Sequence, residues 1–184
     1  MRTPKKPPPA MLFAGCLYST KDYLLKAKDL LIENFGPIIF ESDESEWKSR
    51  YYVEELGSPI RRKFLFFERL IDPGKIADIK LQTNHLESLL SEEGKRKINI
   101  DPGYLTLYSM ILASTKNYAH RIYLERGIFG DVTLIYDSRE KTYKPQLFTY
   151  MDFREEQNIA FFLRAREVLK RKLPALEYLE EGLE

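Results

Sequence analysis

Asp101, Lys116, His120 and Arg121 fall within one run from Asn99 to Tyr123, set around apolar residues that recur at helical spacing. An imidazole titrates near neutrality, so His120 can move protons if a carboxylate such as Asp131 orients it. Lys116 and Arg121, joined by Lys63, Lys80 and Asn84, are the residue types that clamp a phosphate or carboxylate, and nearby tyrosines offer a stacking surface. The expected chemistry is that of an anion site built from side chains. His120 and Asp131 are its candidate catalytic pair; Lys63, Lys80, Asn84, Lys116 and Arg121 are its candidate ligand-binding residues. The glycine-rich turn with which backbone amides hold a nucleotide phosphate is absent. Two histidines and one cysteine, none at ligand spacing, give no zinc motif, so no metal is expected and no cofactor is indicated.

Each of these residues also has a structural reading. Asp101 followed by Pro102 has the form of a helix start, and Lys116 suits a helix C-terminus. Lys80, Asn84 and Glu87 lie along one edge of an amphipathic helix, where they either wall a pocket or pack their stems at the rim of the core. A hairpin turning at Arg126-Gly127 places Thr133 opposite His120 and Asp131 diagonal to it. The pleat then sends Arg121 to the other face, unless the strand begins after His120.

The elements that must position these groups are readable from periodicity and punctuation. Leu12 to Tyr18 is a buried strand, and Ser19 or Thr20 caps a helix from Lys21 to Phe35, which Gly36-Pro37 stops. Ile38 to Glu41 and Arg62 to Glu68 are strands, separated by an irregular Ser42–Gly57 segment holding Trp47, Tyr51 and Tyr52. Asp72-Pro73 opens a helix that runs to Leu90. Arg96 to Ile100 is a strand, and the spacing of Tyr104, Leu107, Tyr108, Ile111, Leu112 and Thr115 predicts a helix after Pro102. His120–Glu125 and Ile128–Tyr136 form the hairpin, Lys144 to Tyr150 adds a strand, and Asp152-Phe-Arg-Glu155 has capping-box spacing before a final helix to Leu173. The order predicts an α+β fold: a mixed, largely antiparallel sheet covered by helices, whose first part has ferredoxin-like βαββαβ order.

A chain of 184 residues with 43% hydrophobic content is expected to form one domain, 11–174, between a disordered lead-in, 1–10, and an acidic tail, 175–184. With 29 basic and 28 acidic residues the net charge is +1, so no global field draws the chain to nucleic acid or anionic lipid. The lone Cys16 cannot form an internal disulfide and suits a reducing compartment, hence a cytoplasmic expectation. The apolar run after the basic N-terminus is too short for a membrane span, so no membrane partner is expected.

Arg62-Lys-Phe-Leu-Phe-Phe-Glu-Arg-Leu-Ile-Asp72, Lys80-Leu-Gln-Thr-Asn84, Asn99-Ile-Asp-Pro-Gly-Tyr-Leu105, Ser114-Thr-Lys116, His120-Arg-Ile-Tyr123 and Asp131-Val-Thr-Leu134 together resemble the bacterial family catalogued as domain of unknown function 4416. The likeness runs from the Leu12 strand to Arg154. Asp131 and Phe153 stand where Glu and Tyr are expected in relatives. The resemblance implies the extent of the domain and no established activity. The residues themselves lead to a domain that binds, and in one version acts on, a small anionic or phosphorylated ligand such as a nucleotide. The alternative is a non-catalytic interaction or RNA-associated protein, which can be homo-oligomeric, using the Trp47 loop or the basic strand Arg61 to Lys63.

Overall fold

The computed structural model describes residues 3–173. In chain order the first elements are β1 (Ala10–Tyr18), α1 (Lys21–Phe35), β2 (Ile38–Glu41), β3 (Ser45–Glu46), α2 (Val53–Leu56) and β4 (Arg61–Ile71). A 3-10 turn (Pro73–Lys75) leads into α3 (Ile76–Leu89), β5 (Ile98–Leu105), β6 (Ser109–Ser114) and β7 (Ile122–Glu125). Then follow β8 (Ile128–Asp137), β9 (Thr142–Pro145), α4 (Met151–Arg154) and α5 (Glu156–Lys172). The expected acidic tail, 175–184, lies outside the described residues.

β1 is buried along its whole length, as a strand covered on both faces must be, and its near-continuous apolar sequence puts it at the centre of the sheet. The strand order is β2-β4-β1-β5-β6-β8-β7, with β3 beside β4 and β9 beside β8. Every pairing is antiparallel, which makes this an α+β fold built on one open sheet. Leu12, Ala14, Cys16 and Tyr18 of β1 face α1 and α3, meeting Leu24, Leu31, Ile76 and Leu86. Met11 and Phe13 face the other way, toward Phe153 of α4 and Phe161, Phe162 and Leu169 of α5. A third, small cluster joins Leu17, Leu56 and Ile60 to Trp47 and Tyr52.

The helix predicted after Pro102 does not form. β5 continues through Asp101, Pro102 and Gly103 to Leu105, and a tight turn returns the chain as β6. Thr106 builds that turn: its hydroxyl accepts the N–H groups of Tyr108 at 3.1 Å and Ser109 at 2.9 Å, an alternative to helical pairing that threonine offers readily. Gly103 serves close approach, because a Cβ there would run into the Ile111 carbonyl oxygen and the Phe13 ring. Pro102 stands where β5 leaves β6, whose pairing covers only Gly103 to Leu105.

Two further expectations are corrected. The strand expected to reach Tyr150 stops at Pro145, and the next residues form a knot: the Gln146 N–H donates to Thr149 Oγ1 at 2.7 Å, and Arg154 donates to the carbonyls of Gln146, Leu147 and Thr149 at 2.8–2.9 Å. The final helix is divided at Glu155, and Asp152 makes no capping bond, being drawn instead to Arg62. No helix among the described residues is long and apolar enough to cross a membrane.

Candidate functional site

Between Ser114 and Ile122 the chain leaves the sheet through a turn in which the Arg121 N–H donates to the Tyr118 carbonyl at 2.9 Å. β7 begins only at Ile122, which pairs with Gly130, so His120 and Arg121 are not in a strand and the pleat does not separate them. The expected pairing of His120 with Thr133 is therefore absent. Both side chains turn to one carboxylate oxygen: Asp131 Oδ2 lies 3.2 Å from His120 Nε2 and 2.9 Å from Arg121 Nε.

Arg121 is nearly exhausted as a donor. Its NH1 group reaches Ser114 Oγ at 2.7 Å and the Lys116 carbonyl at 3.1 Å, and NH2 reaches the Tyr150 hydroxyl at 3.1 Å. Its side chain is 2% exposed and lies over the Tyr118 ring. His120 is more open, with a 21% exposed side chain stacked on Phe148, ring centroids 4.5 Å apart. Lys116 holds its ammonium 4.4 Å from the centre of the Tyr51 ring and has no carboxylate partner among the described residues. Tyr51, Tyr118, Phe148 and Tyr150 are exposed, so a cationic rim sits among accessible aromatic faces.

A second polar cluster lies further into the same face of the sheet. Asp101 is opposite Gly15 in the β1–β5 register, and Arg62 is opposite Leu17 on the other side of β1. Arg62 Nε donates to Asp152 Oδ2 at 2.7 Å, while its NH1 lies 3.8 Å from Asp101 Oδ2. Both members of the Arg62–Asp152 pair are buried. The guanidinium covers the Trp47 and Phe64 rings. Arg61 to Lys63 reads as a basic strand in the sequence, yet the pleat sends Arg62 inward and Arg61 to a pair with Glu44 at 3.0 Å.

The gap left where β5 parts from β6 is filled from α3. The Ile100 N–H donates to Glu87 Oε1 at 2.6 Å and the Ile100 carbonyl accepts from Lys80 Nζ at 3.1 Å, so two helix side chains stand in for the missing strand. Lys80 also lies 3.5 Å from Asp101 Oδ1, and Glu87 accepts from Arg96 at 2.8 Å. Burial pushes the Glu87 carboxyl up, against the opposing pull of Lys80, Arg96 and the Ile100 N–H. Tyr52 is pushed up by burial first and by the charge of Asp101 next, and its ring also flanks Lys116.

Of the sequence-derived candidates, Lys116, His120, Arg121 and Asp131 come together. Lys80 joins the inner cluster beside Asp101, and Asn84 is half-buried on α3 across the sheet. Lys63 is opposite Cys16, on the α1 side, and pairs with Glu41 at 3.3 Å. Cys16 is fully buried, which pushes its thiol up to about 12. Among the described residues no three His, Cys, Asp or Glu side chains are placed to hold a metal ion. Sequence reasoning missed Arg62, Asp152, Ser114, Phe148 and Tyr150. A signal existed for Arg62, an arginine at an inward position of an apolar strand, but Asp152 carried a helix-cap signature that concealed it.

Comparison with curated proteins and with solved structures found no match. The family model described as "Domain of unknown function (DUF4416)" matches residues 8–168, spanning both polar clusters and the sheet that carries them, and the chain belongs to that family.

Proposed function

We propose that this protein binds a small anionic ligand, of the nucleotide or phosphorylated-metabolite class, at the rim formed by Lys116 and His120. The observation that carries the reading is the unpaired Lys116 ammonium. Arg62, Lys80, Arg96 and Arg121 each have a carboxylate partner, whereas among the described residues Lys116 faces the Tyr51 and Tyr52 rings and no carboxylate. A phosphate or carboxylate supplies the missing counter-charge, and a planar group attached to it stacks on Tyr51, Tyr118 or Phe148. Arg121 and Asp131 act as the scaffold that aims His120. In the enzymatic version, the Asp131-held imidazole is the acid–base group of the bound substrate's reaction. Lys63 and Asn84 take no part in this narrower site.

The test is a thermal-shift panel of nucleotides and phosphorylated metabolites. A ligand at one hundred times its dissociation constant raises stability by about 2.7 kcal/mol. Lys116→Ala removes the shift without lowering the ligand-free melting temperature. A flat response across the panel refutes the reading. A second reading, a non-catalytic interaction surface, is favoured by Leu147 and Met151, which are 83% and 75% exposed on the segment that carries Phe148. RNA is the first partner to assay, and retention that ignores salt counts against it.

A further inference from the structure

We infer that the Arg62–Asp152–Trp47 cluster is a subsite for a neutral group presenting a carbonyl acceptor and an N–H donor side by side, as a carboxamide, urea or lactam does. Among the described residues, three buried side-chain polar atoms have no hydrogen-bond partner: Arg62 NH1, Asp152 Oδ1 and Trp47 Nε1. Arg62 joins the other two: it is bonded to Asp152 at 2.7 Å and its guanidinium carbon lies 5.1 Å from the Trp47 ring centre. The Arg62 and Asp152 side chains are 4% and 6% exposed. Buried polar groups are almost always satisfied, and leaving one unmade costs about 1–3 kcal/mol, so three together indicate a place kept for another molecule.

The chemistry of the occupant follows from the atoms it must satisfy. Arg62 NH1 and Trp47 Nε1 are donors and call for an acceptor; Asp152 Oδ1 is an acceptor and calls for a donor. Charge narrows the class. An anion would meet Asp152 and Asp101, and a cation would meet Arg62 and Lys80, whose ammonium is 3.5 Å from Asp101. The local charges cancel, so a neutral dipolar group is favoured over either ion. Gly15 lets NH1 settle against β1: a Cβ at that position would come within 2.8 Å of Arg62 NH1 and 3.2 Å of the Phe64 ring, and would push the guanidinium out of place. Asp101, whose side chain is 30% exposed, lies 3.8 Å from NH1 and is the cluster's more accessible carboxylate. The inference requires nothing of Lys116 or His120.

Trp47 is the chain's single tryptophan, so its emission reports on the cluster directly. The full chain is titrated with acetamide and 2-pyrrolidone, and with acetate and acetamidinium as charged counterparts of acetamide. A saturable change in emission with the two neutral probes, at least tenfold weaker with both ions, supports the subsite. Asp152→Asn or Gly15→Ala then weakens the neutral probes at least tenfold where the variant folds. The wild-type titration decides alone if neither variant folds. A linear or absent response to the neutral probes, or an equal response to acetate, overturns the inference and leaves the three atoms to water. None of the probes carries a phosphate, so this outcome is separate from that of the nucleotide panel.

Discussion

Two arginine–aspartate pairs occupy the same face of the sheet and differ in what they leave undone. Arg121 spends its donors on Asp131, Ser114, the Lys116 carbonyl and Tyr150, so it builds a fixed support for the more exposed His120. Arg62 makes one short bond to Asp152 and keeps buried donor capacity in reserve. A satisfied arginine is architecture; an unsatisfied buried one is an open valence. The carboxylates differ as well. Asp131 Oδ2 meets the His120 ring nitrogen as well as Arg121, whereas Asp152 Oδ2 meets Arg62.

That difference can be broken by mutation. Asp152→Ala strands a guanidinium in the interior and is expected to cost about 3–5 kcal/mol in denaturant unfolding. Arg121→Ala is expected to cost less, about 1.5–3 kcal/mol, because Asp131 keeps the His120 ring nitrogen as a neighbour at 3.2 Å. Equal losses would dissolve the distinction. Tyr150→Phe removes one bond from Arg121 and is expected to cost about 1 kcal/mol, read as a lower melting temperature with the Trp47 emission unchanged. The smallest effect is a pH effect at a third, more exposed pair. A hydrogen bond from Arg96 holds Glu55 below its ordinary value of 4.5, so its contribution is complete above that value and fades as pH falls through the lower folded one. Glu55→Gln should therefore cost more at pH 7 than at pH 3, and a pH-independent difference would refute the pairing.

The strands and helices flanking β1 were legible because their signals agree: an apolar run for a strand buried twice over, amphipathic spacing and a Gly-Pro stop for α1, an Asp-Pro start before α3. Residues 101–115 misled because two periods coexist there. Tyr104, Leu107, Tyr108 and Ile111 fit a helix, while Leu105, Met110 and Leu112 pack against the α5 side as strand residues. Thr106 and the crowding at Gly103 decide for the hairpin, and neither is visible without the neighbouring strand. Gly103→Ala separates the two readings, since it favours a helix and obstructs the observed sheet. The His120–Asp131 contact was legible as a neighbourhood. Its sharing with Arg121 depended on where β7 starts, and strand ends are set by turn geometry that period alone does not encode. Arg62 and Asp152 are far apart in sequence, so their meeting belongs to topology.

The knot closed by Arg154 has a thermodynamic consequence. Phe148 against His120, Tyr150 on Arg121 and Asp152 on Arg62 all hang from one short backbone stretch that Arg154 ties to itself. A molecule that moves Asp152 acts on the same stretch that carries the stacking ring and the hydroxyl of the outer cluster. Occupants of the two clusters would thus sense each other without touching, and linkage makes the influence reciprocal: the factor by which the first alters the affinity of the second is the factor by which the second alters that of the first.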